Sequence, residues 1–210
     1  MFRNFFNRKP TKEPAQKTME PVADKLDLLF LEIKEIIMES LREKKGHFGG
    51  LSEAEIGKLE KENGWSFPKA YRKFLRAFAD SQSSVFDGQL YNIKGIMDAQ
   101  QVSQELLAQA HATLPDNHFA FSQWQGYNFY YFLTDGSDNP ETFLYLEGGG
   151  EGSSISHKIY PQGPFMKWFI DLAINNIKII GDLYGHGTAK EVERLQGLLQ
   201  NSVEQSFSKL

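Results

Sequence analysis

One stretch constrains this chain more than any other: Trp65-Ser66-Phe67-Pro68-Lys69-Ala70-Tyr71-Arg72-Lys73-Phe74-Leu75. Pro68 biases Phe67 towards an extended backbone and suits the first position of a helix itself. Tyr71, Phe74, Leu75 and Phe78 then recur at three- and four-residue spacing, which makes one face of that helix apolar. Just upstream, Ser52-Glu53-Ala54-Glu55 has the spacing of a capping box. It opens a short helix through Ile56 and Leu59 that Asn63-Gly64 ends. Two helices joined by an aromatic corner form a wedge, and the wedge needs a sheet to pack on.

Strand-like runs at 118–124 and 127–134 flank Gln125-Gly126, a hairpin turn signal. In the second run Tyr127, Phe129, Tyr131 and Leu133 share one face, while Asn128, Tyr130, Phe132 and Thr134 share the other. Both faces are bulky, which predicts a central strand. A turn at 135–141 leads to a third strand at 142–147, and a glycine-rich loop at 148–154 to a short one at 155–159. Helical periodicity predicts helices at 22–44, 97–112, 165–180 and 188–201, with a loop at 181–187. The segment 85–93, broken by Asp87-Gly88, reads as a hairpin or two short strands. Strands bracketed by helices without regular alternation predict an α+β fold, its antiparallel or mixed sheet flanked by helices. The expected organisation is a flexible basic leader at 1–20, one domain at 21–187 that includes the added helix 22–44, and a C-terminal helix at 188–210.

Charge and composition narrow the function. Residues 1–18 carry Arg3, Arg8, Lys9, Lys12 and Lys17 against Glu13, a balance of +4, so the total of −4 leaves −8 on the remainder. An acidic body disfavours nucleic acid, which is bound through clustered Lys and Arg, and favours a basic protein partner. Phe2, Phe5 and Phe6 beside basic residues allow contact with an anionic membrane, but a flexible tail is the favoured reading of the leader. The chain has no cysteine, no signal-type apolar segment and no run long enough to span a bilayer. A cytoplasmic location is the expectation.

Motifs for chemistry do not assemble. Gly148-Gly149-Gly150-Glu151-Gly152 lacks the Gly-Lys-Ser/Thr of a phosphate loop, so it is read as a sheet connection. Asp135, Ser137 and Asn139 copy the first ligand spacings of a calcium loop, but Pro140 stands where glycine is needed and Leu146 where the closing glutamate belongs. The five histidines are scattered, with no zinc-type spacing. The pair Glu147 and Glu151 reads as solvated loop charge before it reads as an acid and a base. No enzyme activity, cofactor or metal is expected.

The residues Leu51-Ser52-Glu53-Ala54-Glu55-Ile56, Gly64-Trp65 and Phe67-Pro68-Lys69-Ala70-Tyr71-Arg72-Lys73-Phe74-Leu75 resemble the SUKH superfamily, also called SMI1/KNR4. The resemblance continues through the strands at 119–121 and 129–133 to Asp135, covering roughly 48–178 and leaving the first and last helices outside. Asp80-Ser81-Gln82-Ser83-Ser84 departs from it, standing where many members carry Asn-Gly or Gly-Gly. The resemblance implies a SUKH-like α+β fold and a non-enzymatic, protein-binding role. In bacteria that role is an immunity protein that neutralises a toxin, often a nuclease; in fungi it is a regulator of cell-wall synthesis. The expected partner is therefore a basic toxin domain, with a cell-wall scaffold as the alternative. Contacts are expected from Asp135, Asp138, Glu141, Glu147 and Glu151, anchored by Trp124 or Tyr127, because interfaces concentrate their energy in buried aromatics.

Overall fold

The computed structural model describes residues 25–40, 49–79, 91–148, 157–184 and 188–205. Its elements are α1 (Lys25–Ser40), α2 (Glu53–Asn63), α3 (Lys69–Phe78), α4 (Ile93–Gln109), β1 (His118–Trp124), β2 (Asn128–Leu133), β3 (Glu141–Glu147), β4 (His157–Pro164), α5 (Phe165–Tyr184) and α6 (Ala189–Gln205). The fold is α+β. The leader, the segment 80–90 and the glycine-rich residues 149–156 with Glu151 lie outside the described residues.

The corner forms as its residues dictate. Both arms of the capping box are made: the Glu55 N–H donates to Ser52 Oγ at 3.3 Å, and the Ser52 N–H to the Glu55 carboxylate at 2.7 Å. Gly64 ends α2 in the left-handed conformation, φ +69°, where a side chain would be strained. Glu60 then holds the bend. It accepts the Phe67 N–H at 2.7 Å and the Arg72 guanidinium, while its carbonyl accepts the Trp65 N–H at 2.9 Å. Pro68 sits one position earlier than expected, as the N-cap residue of α3, and supplies no side-chain cap.

The four strands form an antiparallel meander in the order β1-β2-β3-β4, with β2 internal. One face presents Phe119, Phe121 and Phe132 to Phe67 and Tyr71 of the corner and to Phe165 of α5. That core continues through Phe30, Ile33 and Ile37 of α1 and Val192 and Leu195 of α6. The opposite face presents Ala120, Phe129, Tyr131 and Tyr145 to Ala99 and Leu106 of α4. The sheet is thus a middle layer, and both bulky faces of β2 are used.

Three elements differ from expectation. Tyr91 and Asn92 are not strand: Asn92 is the N-cap of α4, accepting the Gly95 N–H at 3.0 Å, so the helix begins at Ile93 rather than 97. β4 runs to Pro164, past the expected end at 159, because a bulge with Gly163 at φ +84° lets the strand continue beyond Pro161. α5 continues to Tyr184, taking in four residues expected as loop.

Candidate functional site

The meander sends the expected contact residues to opposite ends of the sheet. Trp124, Tyr127 and Glu147 gather at the β1–β2 turn, whereas Asp135, Asp138 and Glu141 lie at the β2–β3 loop. Glu141 and Glu147 terminate the same strand, roughly 20 Å apart at about 3.3 Å per residue. They belong to two surfaces.

At the turn end, Gln125 and Gly126 both have positive φ, 53° and 80°, the geometry of a primed hairpin turn. Gln123 steadies it by accepting the Gly126 N–H on Oε1 at 3.1 Å. The Glu147 N–H donates to the Tyr127 carbonyl at 3.1 Å, tying β3 to the turn. Trp124 is 37% exposed and Tyr127 43%, large values for aromatics. By register Trp124 shares a face with Leu146 and Lys158, outside the area covered by helices; Tyr160 and Ile159 of the edge strand β4 are also exposed.

The loop 134–140 has a different character. The Ala70 N–H at the start of α3 donates to the Asp138 carbonyl at 2.9 Å, supplying an acceptor where Pro68 offers none. At the start of α5, the Phe165 N–H donates to the Pro140 carbonyl and the Met166 N–H to Asn139 Oδ1, each at 2.9 Å. Asp135 Oδ1 accepts the Ser137 N–H at 3.0 Å, and Ser137 Oγ the Asn139 N–H at 3.2 Å. The residues that mimic a calcium loop therefore close a turn, and Asn139 caps α5, while the Asp138 carbonyl between them serves α3. Among the described residues no group of three His, Asp or Glu is placed to hold a metal ion.

Beside this loop lies a cleft of about 530 Å³ that the sequence did not reveal. Its walls come from four separate segments: Asn63 to Ser66 at the corner, Gln100 to Leu107 on α4, Asp116 to Phe119 entering β1, and Thr134. Trp65 lines it half-buried, resting edge-to-face on Phe119 with ring centroids 5.0 Å apart. Gln100 is spent on the Ala120 carbonyl at 2.7 Å, and Ser103 on the Gln100 carbonyl at 2.8 Å. His118 donates from Nδ1 to the Pro115 carbonyl at 2.8 Å, which leaves Nε2 as the acceptor of the neutral ring. Asp116 is exposed and is the single carboxylate among the described lining residues, none of which is Lys or Arg.

Cations near the corner are committed elsewhere. Lys73 meets Asp27 at 2.6 Å, Arg76 meets Glu53 at 3.4 Å, and Arg72 joins Glu53 at 2.5 Å as well as Glu60. This network fastens α1 and α2 to α3. Its positive charge faces internal carboxylates and does little to offset the acids at the sheet ends.

A helix-backed antiparallel meander of this kind belongs to the class of α+β domains. More narrowly, the family model of the SMI1 / KNR4 family (SUKH-1) matches residues 50–161, and the chain belongs to that family. The matched span runs from the capping box to the middle of β4, and leaves α1, α5 and α6 outside. Neither the curated proteins nor the solved structures contain a match.

Proposed function

We propose that the protein is a non-enzymatic binding module, and specifically an immunity protein that neutralises a basic toxin domain by covering its active surface. Membership of a family that includes immunity proteins carries this reading. The acidic body and the pairing of the corner cations support it, since they leave a net-negative surface that steers a basic partner. The turn end, with Trp124, Tyr127 and Glu147, is the anchor; Asp135, Asp138 and Glu141 act as a separate acidic rim, with Glu151 beyond the described residues. No helix among the described residues is long and apolar enough to cross a membrane.

Co-expression with the product of the neighbouring gene, scored by growth rescue and co-purification, tests the reading. Trp124→Ala weakens capture by about 2 kcal/mol, roughly thirtyfold, as a buried aromatic anchor does, and leaves far-UV circular dichroism unchanged. Charge reversal at Asp135, Asp138 and Glu141 slows association with a smaller effect on dissociation. Full rescue by both sets of variants rejects the placement of the surface.

A scaffold role in cell-wall synthesis is the second reading. Leu28, Leu31 and Met38 favour it: they are exposed on α1, outside the matched span, at helical spacing. Several unrelated proteins captured through α1, with no dependence on Trp124, would support that role instead.

A further inference from the structure

We infer that the cleft between the aromatic corner, α4 and the start of β1 is a receptor for a single arginine side chain presented by the partner. This rests on the reading of the chain as a binder of a basic protein. The volume, about 530 Å³, lies within the range of small-ligand sites and exceeds what one side chain fills, so backbone on either side of the arginine also fits.

The lining selects the chemistry. Among the described lining residues Asp116 is the one carboxylate and none is Lys or Arg, so a cation is favoured over an anion. Trp65 offers an indole, the best partner for a cation held over a ring. Gln104 and Asn117 add side-chain amide oxygens, and His118 has Nε2 free to accept in its neutral form. A platform with several dispersed acceptors suits a planar guanidinium, which carries five donors and stacks on aromatics; a compact ammonium uses fewer of them.

The site is rigid where it must be. Trp65 is fixed by its backbone bond to Glu60 and its edge-to-face contact with Phe119. The backbone of Asn117 is held through its carbonyl, which accepts from both the N–H and the hydroxyl of Thr134 at 2.9 and 3.1 Å. Asp116 and Ser66 at the rim are exposed. An arginine entering here therefore meets an indole already in place, with Asp116, Gln104 and Asn117 on exposed side chains around it.

The test needs no partner protein. The isolated ¹⁵N-labelled chain is titrated with N-acetyl-arginine methylamide, and in parallel with its lysine and citrulline counterparts. The Trp65 indole Nε1–H resonance, identified by its loss in Trp65→Phe, is the reporter. The arginine compound shifts it saturably with a dissociation constant on the order of millimolar, as one side chain allows. Asp116→Asn weakens binding by about threefold, in line with a surface ion pair, and Asp116→Lys abolishes it with the spectrum otherwise preserved. Three outcomes overturn the proposal: no saturable shift, equal binding of citrulline or lysine, or a shift centred on the Trp124 indole. Failure here leaves growth rescue through Trp124 intact, so the two readings fall separately.

Discussion

Tyr71 supplies a prediction whose sign runs against the usual cost of altering a core. Its ring is 1% exposed and touches Phe67, Phe119, Phe121, Phe132 and Phe165, with centroids 5.2 to 6.0 Å away. Its hydroxyl is buried with no hydrogen-bond partner among the described residues. An unmade hydrogen bond of this kind costs about 1–3 kcal/mol, and phenylalanine removes it while keeping the ring. Tyr71→Phe should therefore stabilise the protein by about 1 kcal/mol, a rise in Tm of roughly 2–4 °C for a chain of this size. Tyr71→Ala, which empties the same space, should cost about 3–5 kcal/mol. Urea unfolding followed by tryptophan fluorescence and far-UV circular dichroism measures both, with an unchanged m value required for the comparison. Burial also pushes the Tyr71 phenol well above its ordinary pKa, and the neighbouring Tyr91 phenol adds to the effect. The folded state then keeps a proton that the unfolded state releases above about pH 10. Stability is full below that pH and falls as pH rises through the folded value, and Tyr71→Phe should flatten the fall. A loss of 1 kcal/mol or more in Tyr71→Phe would refute the reasoning, because the hydroxyl would have to be bonded in the folded protein.

Other perturbations probe the frame around the site. A Cβ at Gly50 would stand 1.6 Å from the Arg76 carbonyl oxygen, so Gly50→Ala should cost about 3 kcal/mol, seen as a lowered urea midpoint. Ser52→Ala removes the N-cap of α2 and should cost about 1 kcal/mol by the same assay. Its hydrogen bonds to Ser52 hold the Glu55 carboxyl below the usual range. That contribution is present above the unfolded pKa and fades as pH falls through the folded one, so acid unfolding should shift less in Ser52→Ala than in the parent. Asn139→Ala removes the acceptor for the Met166 N–H and should cost about 1 kcal/mol, with faster hydrogen exchange at that amide.

Local chemistry made much of the fold legible. The capping box, the Gly64 stop and the limits of β1 follow from residues within a few positions of one another. Two bulky faces sufficed to place β2 inside the sheet. Misreadings arose where a local rule was overridden. Pro161 and Gly163 look like strand breakers, yet β4 is an edge strand that needs few outward donors and absorbs a bulge there. The hairpin expected at 85–93 takes in Asn92, whose capping role depends on the Gly95 N–H folding back to its side chain. The site was less legible than the fold. Acidic loops are visible in sequence, but their assignment to opposite ends depends on strand direction. The cleft is invisible, since Trp65, Gln104, Asp116 and Thr134 meet only after the corner has docked on β1.

The loop 134–140 secures α3 and α5 through the carbonyls of Asp138 and Pro140 and through Asn139, and the Asp138 carboxylate takes no part in that work. Architecture and address are thereby written in different atoms of one segment. The main chain there must be kept for the domain to hold its shape, whereas the outward acid can be exchanged from one lineage to the next with little loss of stability. A domain built this way can change the charge it presents at this edge while the main chain that holds its two helices stays the same.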